Sequence, residues 1–349
     1  MFTPIIKDAN EATGRYRFEI KEPSLGLAFV NGLRRIILTN IAVVGFMSED
    51  TPSFKIHVNN GPLHNEFMQH RLGLLPVFMS LDETKAYAKE AGGPEDLLEF
   101  EVNVKNTTNE MIRVKTKDFT CKYKGEIVPT EKYFRNGEIV ITHLRAKEQL
   151  HATGIPTIGT AGMHAGFAPV SLCTLSFKQD TEKGAGKSII ESERAFIADE
   201  YGDPKEFIFE LEPETGMTPH DIVSEAIRIM HSKITGMIDM LESGEVAPKP
   251  VNQMTEFTFL NEDDTVGHLV QSYAHIKYIR HGGADNKYKL TYIGYFCPHP
   301  LEKSVVIRIN TGEDTEGREG RGLNVMVSIL KEVAGEVESA SHAWSANKV

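Results

Sequence analysis

The stretch that comes nearest to a reactive motif is Lys183 to Ser188, KGAGKS. A phosphate-binding loop wraps an anion in backbone N–H groups, and it needs a glycine five positions before the one that precedes the lysine. Thr181 stands there instead, the flanks QDTEK are polar, and no helical stripe follows. The segment therefore reads as a flexible surface loop, with an enzyme that binds a nucleoside triphosphate as the weaker alternative. His64 and His70 invite a metal, but a six-residue spacing does not put two imidazoles on one helical face, and no cysteine is near. Cys121, Cys173 and Cys297 are the three cysteines; they lie far apart and form neither a disulfide framework nor a Cys-x-x-Cys knuckle. Thr153 to Ser176 is rich in glycine and contains His164. Such a stretch can cradle a ligand or let strands approach closely, and the structural reading is favoured. Paired carboxylates, an Asp-x-Asp metal triplet and a nucleophile with an assignable base are not found, so the chain is expected to be non-catalytic.

The remaining chemistry is hydrogen-bond donation. Asn31, Arg34 and Arg35 stand in the middle of LGLAFVNGLRRIILTNI, residues 25–41. Each guanidinium offers about five N–H donors, which nothing in a helix itself is expected to satisfy. Leu25, Phe29, Leu33, Ile36, Ile37 and Ile41 recur at steps of three and four, so the segment is an amphipathic helix with the arginines off its apolar stripe. Pro23 and Ser24 are placed to begin it, the hydroxyl capping the first turn.

The flanking elements follow from the same periodicities. Arg15 to Ile20 alternates as a half-buried strand, as do Phe54, Ile56 and Val58. His64 to Leu75 is a short helix with Leu63, Phe67, Arg71 and Leu74 about a turn apart. Alternating segments from Leu98 to about Leu144 predict a β-rich unit spanning 47–173. Glu206 to Glu212 is a strand. Thr218, Pro219 and Asp221 then start a helix running to about Leu241, whose stripe includes Ile227 and Ile234 and wants a partner surface. Ser243 to Gln253 is a polar, proline-containing linker. After it come a strand (Thr255, Phe257, Phe259), a helix with Val266, Leu269, Val270 and Tyr273, two strands in YKLTYIGYFC and SVVIRIN, and a final helix from about Arg321 with Leu330 and Val337 in phase. The order strand, helix, two strands, helix makes an α+β module.

Composition sets the class. The 349 residues suffice for two ordinary domains, and 40% apolar with 25% charged residues is that of a soluble globular protein. No run of about 18 apolar residues and no signal pattern is present, so neither membrane insertion nor secretion is expected. A formal charge of −11 argues against a broad nucleic-acid-gripping face.

NGLRRIILTNI followed by LHNEFMQHRLGLLPV resembles the paired signature of the alpha-like subunits of multisubunit DNA-directed RNA polymerases: the bacterial alpha subunit, the archaeal D subunit and the third-largest subunit of RNA polymerase II. NEDDTVGHLV and YIGYFCPHPLEKSVVIRINT resemble their small partner, the archaeal L subunit and the eleventh subunit of RNA polymerase II. The resemblance implies two dimerisation modules in one chain, a D-like one over 1–46 and 174–242, interrupted by a β-rich insertion at 47–173, and an L-like one over 254–349, joined through 243–253. GMHAGFAPV resembles the return from the insertion. Family members often carry a cysteine cluster in that insertion, which is lacking here, so no zinc or iron–sulfur centre is expected. Subunits that elsewhere form a heterodimer would pair intramolecularly through Phe29, Leu33, Ile37, Ile227, Ile234, Leu269, Tyr273, Leu330 and Val337. The implied role is an assembly platform for the two largest polymerase subunits, with small assembly subunits, one copy per complex, and DNA and RNA only indirectly. Asn31, Arg34, Arg35, His70, Arg71, Leu72 and Gly73 would lie at or support the contact with a large subunit. No cofactor is implied in this chain, magnesium being expected only in the large catalytic subunit. Such fusions are similar to those of large DNA viruses, so the expected location is an intracellular transcription complex, or the virion or cytoplasmic factory of a virus. A regulatory binding module of the same fold outside any polymerase is the alternative.

Overall fold

A computed structural model of the protein describes residues 3–10, 14–90, 98–280, 286–299, 301–312 and 318–346. Its helices, in chain order, are α1 (Gly26–Thr39), α2 (Asn65–Gly73), α3 (Leu81–Glu90), α4 (Thr181–Gly184), α5 (Ile189–Glu193), α6 (Pro219–Glu242), α7 (Asp264–Ala274) and α8 (Arg318–Ala346). The architecture is mixed α+β with antiparallel sheets. The chain forms two compact units, one of residues 1–36, 173–211 and 223–349, the other of residues 37–172 and 212–222. Among the described residues no helix is long and apolar enough to cross a membrane.

The first unit is built on two four-stranded sheets. In one the strands run in the order Thr3–Asn10, Arg15–Lys21, Glu206–Pro213, Val170–Phe177. Phe18 sits opposite Phe209 in the ladder, with their rings stacked 5.2 Å apart, and Trp344 near the end of α8 lies 5.1 Å from the same Phe18. The final helix is thereby anchored on a sheet whose strands come from the first two thirds of the chain. In the other sheet the order is Lys249–Val251, Met254–Leu260, Ser304–Asn310, Tyr292–Phe296. Gly267 of α7 faces that sheet so closely that a Cβ would stand 2.7 Å from Val305 and 2.8 Å from Tyr295, and only glycine permits the approach.

The second unit holds the β-rich region. Phe54–Asn59, Gln149–Gly154, Leu98–Lys105, Phe119–Tyr123 and Glu126–Val128 form a five-stranded antiparallel sheet in that order. Phe46, Phe54, Phe100, Phe119 and Phe134 pack edge-on and tilted beneath it, with ring centroids 4.6–6.5 Å apart.

Several expectations are corrected. The segment read as a linker, 243–253, is a structured connection: Val246 is buried, and Lys249–Val251 pairs with Met254–Glu256 across a turn in which Asn252 takes φ 55°. The loop expected at KGAGKS is ordered into α4 and α5. Asp180 caps the first by accepting the N–H groups of Glu182 and Lys183 at 3.1 Å, and Ser188 caps the second. Helix α3 lies inside the region read as strands, where LDETKAYAKE shows too little apolar periodicity to mark it. Its signature is the capping box Ser80 to Glu83, in which the Ser80 N–H donates to Glu83 at 2.9 Å and the Glu83 N–H to the Ser80 hydroxyl at 3.2 Å. Ser24 is exposed, and the entry to α1 is closed by backbone instead, the Gly26 N–H donating to Pro23 O at 2.9 Å with Gly26 at φ 63°. Of the acidic stretch GEDTEGREG, residues 313–317 lie outside the described residues.

One carboxylate organises the end of the first unit. Glu332 of α8 accepts hydrogen bonds from Lys287 (2.8 Å), Tyr288 (3.0 Å), Lys277 (3.1 Å), Tyr273 (3.3 Å) and Tyr278. Burial works to raise its pKa, but the donors, led by Lys287 and Tyr278, outweigh it and bring it down to about 2 from 4.5. A depressed folded-state pKa gives stability that is present above the unfolded value and is lost as pH falls from 4.5 towards 2. Glu332→Gln is therefore expected to cost on the order of 2 kcal/mol near neutral pH and to flatten the acid limb of stability, measured by urea unfolding over a pH series. An unchanged acid limb would refute the assignment.

Candidate partner-binding surfaces

Helix α1 is enclosed on most of its circumference. Ala28, Phe29, Val30, Leu33, Ile36 and Ile37 are buried, wider than the single stripe read from the sequence. Leu27, Asn31, Arg34 and Leu38 are half-buried, and their steps of four, three and four place them on one line along the helix. The two arginines do not act as a pair. Arg34 Nε donates to Asn31 Oδ1 at 3.1 Å, one turn back on the same helix, which corrects the expectation that nothing in the helix satisfies these donors. Arg35 Nε donates instead to Thr265 Oγ1 at 2.9 Å, in the first turn of α7. Arg34 makes no further hydrogen bond or ion pair among the described residues; it is half-buried, and its charge acts against the burial that raises the Cys173 thiol.

The apolar stripes of the first unit's helices are buried. Phe29, Leu33, Ile227, Ile234, Leu269, Tyr273, Leu330 and Val337 are buried in the first unit, and Ile37 is buried as well. Gly32 of α1 marks the closest approach, since a Cβ there would meet Met230 of α6 at 2.8 Å and Thr265 of α7 at 3.5 Å. Lys331 of α8 reaches Glu242 of α6 at 2.7 Å, and Lys233 of α6 meets the well-buried Glu262 at 2.8 Å. Burial raises the Glu262 pKa against the pull of Lys233.

In the second unit α2 carries two apolar stripes, and only one can be buried. Met68 and Leu72 face inward with Leu75, while Phe67 and Leu74 are 66% and 59% exposed. The sequence-derived set His70, Arg71, Leu72 and Gly73 divides accordingly. Leu72 and Gly73 are buried, and a Cβ on Gly73 would stand 2.6 Å from Ser48. Arg71 holds the helix to the strand Val140–Leu144, donating from Nε to Ile141 O at 2.8 Å and from Nη2 to Val140 O at 2.9 Å. His70 is exposed, with Nδ1 3.5 Å from Ser48 Oγ. Phe67 and Leu74 are exposed apolar residues that the sequence reading did not single out. The signal for them was the competing stripe Met68, Leu72, Leu75 on a helix of nine residues.

The glycine-rich segment supports this helix from behind. Gly166 N–H donates to His164 Nδ1 at 3.0 Å, so the proton sits on Nε2, which donates to Ser48 Oγ at 2.7 Å. A Cβ on Gly166 would stand 2.3 Å from Gly73 O. These glycines and His164 serve backbone approach, in keeping with the structural reading.

Neither buried thiol is a nucleophile near neutral pH, because burial pushes Cys121 and Cys173 up to about 12. Among the described residues no group of three or more His, Cys, Asp or Glu side chains is placed to hold a metal ion. Gly186 in KGAGKS takes φ 74°, and the helix after it has five residues, far from the strand–loop–long helix of a phosphate site.

The model of the RNA polymerase Rpb3/Rpb11 dimerisation domain matches residues 19–234, more than half of the chain. Subunit rpb3 of DNA-directed RNA polymerase II from Dictyostelium discoideum is 24% identical over 274 residues, covering 62% of this chain and 89% of that protein. Subunit Rpo3 of the DNA-directed RNA polymerase of Archaeoglobus fulgidus is 20% identical over 278 residues, 68% of this chain and 98% of that one. Subunit 3 of RNA polymerases II, IV and V from Arabidopsis thaliana is 23% identical over 181 residues, 47% of this chain, which spans about half (54%) of that relative.

The division of labour on α2 has a direct measurement. Arg71→Ala removes two charge-assisted bonds and is expected to lower stability by about 1–3 kcal/mol in urea titration. Phe67→Ala, at an exposed site, should stay within about 0.5 kcal/mol of wild type. The reverse ranking would overturn the assignment of inner and outer faces.

Proposed function

The chain belongs to the RNA polymerase Rpb3/Rpb11 dimerisation-domain family, and on that premise we propose that it is a non-catalytic assembly-platform subunit of a multisubunit DNA-directed RNA polymerase. In this reading it combines the D-like and L-like partners in one chain and nucleates binding of the two largest subunits. The observation that carries the reading is the shared core of the first unit. Helices α1 and α6, within the region the family model matches or continuous with it, bury their stripes together with α7 and α8 from beyond that region. A heterodimer interface would look like this with both halves on one polypeptide, and the covalent link would supply an effective concentration on the order of millimolar.

The contact with a large subunit is assigned to Arg34 with Asn31, and to His70 with Phe67 and Leu74. Arg35, Arg71, Leu72 and Gly73 hold those surfaces in place. The subunit acts inside a soluble intracellular transcription complex, one copy per particle, with nucleic acid and catalytic magnesium handled by its partners. The fused arrangement favours a large DNA virus as source.

Two experiments test this. A protease site inserted after Glu245 and cut in the purified chain should leave the two fragments eluting together, because buried Ile, Leu and Val contribute roughly 1.5–3 kcal/mol each and span the cut. Fragments that separate without denaturant would sink the intramolecular heterodimer. Second, the tagged chain purified from its own source should come with two larger subunits. Arg34→Ala and Phe67→Ala should each reduce that recovery, a truncated hot spot costing about 2 kcal/mol or more. Recovery of a lone particle near 38.9 kDa would favour the free-standing binding module.

A further inference from the structure

The first unit holds a cavity of about 570 Å³ that the assembly reading leaves without a task. It lies between the start of α1, the turn 199–205 and α7. Leu27 and Ala28 of α1, Pro204 of the turn and Ile276 just beyond α7 give it apolar walls, and Ser272 of α7 adds a polar one.

The cavity is preformed. Glu22 N–H donates to Lys205 O at 2.7 Å and Lys205 N–H to Ile197 O at 3.2 Å, which ties the turn to the entry of α1. Asp199 Oδ1 accepts the N–H groups of Tyr201 at 2.9 Å and Asp203 at 2.8 Å, holding the turn from within. Arg280 closes the far side, donating to Asp203 Oδ2 and, at 3.2 Å, to Tyr201 O, with its guanidinium 4.7 Å over the Tyr201 ring. Walls fixed in this way have little left to order when a ligand enters.

Carboxylates set the sign of the cavity. Glu22, Asp199, Glu200 and Asp203 line it together with a single lysine, Lys205. Lys205 meets Glu22 at 3.2 Å and Arg280 meets Asp203, so two of the four charges are answered. Asp199 and Glu200 have no ion-pair partner among the described residues. Charge of one sign beside apolar walls focuses the field and attracts a cation, and it repels the phosphates of a nucleic acid. A cation on an aliphatic stem suits both features, the stem against Leu27, Pro204 and Ile276 and the head among the carboxylates.

We propose that the cavity receives an arginine or lysine, flanked by an aliphatic residue, from a segment of a partner protein. The volume has room for more than a head group. Leu27 also heads the half-buried line of α1 to which partner contact is assigned, so a partner lying along that line reaches the cavity. In naming a protein as the source, the proposal rests on the assembly reading.

The test is a fluorescence-anisotropy titration of the full-length chain with a labelled peptide of about six residues, in which leucines flank an arginine. Beside it run two altered peptides, one with glutamine for the arginine and one with glycine for the leucines, and the small guanidine agmatine as unlabelled competitor. The parent peptide is expected to bind with a Kd below about 1 mM and to weaken with salt. Each altered peptide is expected to bind roughly tenfold more weakly, and so is the parent peptide to Glu200→Lys or to the cavity-filling Ser272→Phe. Glu200 is exposed, so its variant carries the test even if the Ser272 variant melts early. No binding below about 1 mM, equal binding of either altered peptide, agmatine as tight as the peptide, or indifference to Glu200→Lys would each overturn the proposal. A chain that binds the peptide but is recovered from its source without larger subunits would remove the polymerase assignment and leave the cavity's chemistry standing. A chain recovered with them that ignores the peptide would do the reverse.

Discussion

Everything in the first unit depends on covering long apolar stripes. Helix α6 alone buries Ile222, Val223, Ala226, Ile227, Met230, Ile234, Met237, Ile238 and Leu241, and α8 buries Met326, Ile329, Leu330, Val333 and Val337. Neither helix can hide such a surface by itself, and the hydrophobic cost of leaving it in water would exceed the stability of a typical domain. Each needs neighbours, and the neighbours come from distant parts of the chain. Trp344 on Phe18, Gly32 against Met230 and Thr265, and Lys331 on Glu242 are local expressions of that one demand.

The polar groups are arranged around that constraint. Arg35 is drawn to the start of α7 by Thr265, next to the acidic pair Asp263 and Asp264, and so helps set where α7 begins. Arg34, one residue earlier, is aimed along the half-buried line of α1. In the second unit the same separation recurs, with Arg71 spent on carbonyls of its own sheet while Phe67, His70 and Leu74 stay outward. Adjacent residues of similar chemistry make different contacts, Arg34 with Asn31 on its own helix and Arg35 with Thr265 of α7.

The family membership gives the buried core of the first unit its meaning. A dimerisation domain has to bury an apolar face against its counterpart, and the buried stripes of α1, α6, α7 and α8 are such a face. In the second unit the glycines at 73 and 166 let backbone approach backbone where any side chain would intrude.

Local spacing was enough to read the strongly periodic helices and strands, the capped start of α6 at Thr218 and Asp221, and the order strand, helix, two strands, helix of the last hundred residues. It also brought out the arginine helix and the α2 motif as places of interest. Other features rest on contacts that local spacing does not carry. That Arg35 bonds Thr265, 230 residues away, while Arg34 bonds Asn31 one turn back is something no local pattern encodes. Which stripe of α2 is buried depends on the sheet beneath it, since both stripes satisfy the same helical spacing. The order of 180–198 and the strand inside 243–253 arise from helix caps and from short-range backbone pairing, Asp180 with Ala195 and Lys249–Val251 with Met254–Glu256, and composition alone reads such polar, glycine- and proline-bearing segments as loose chain.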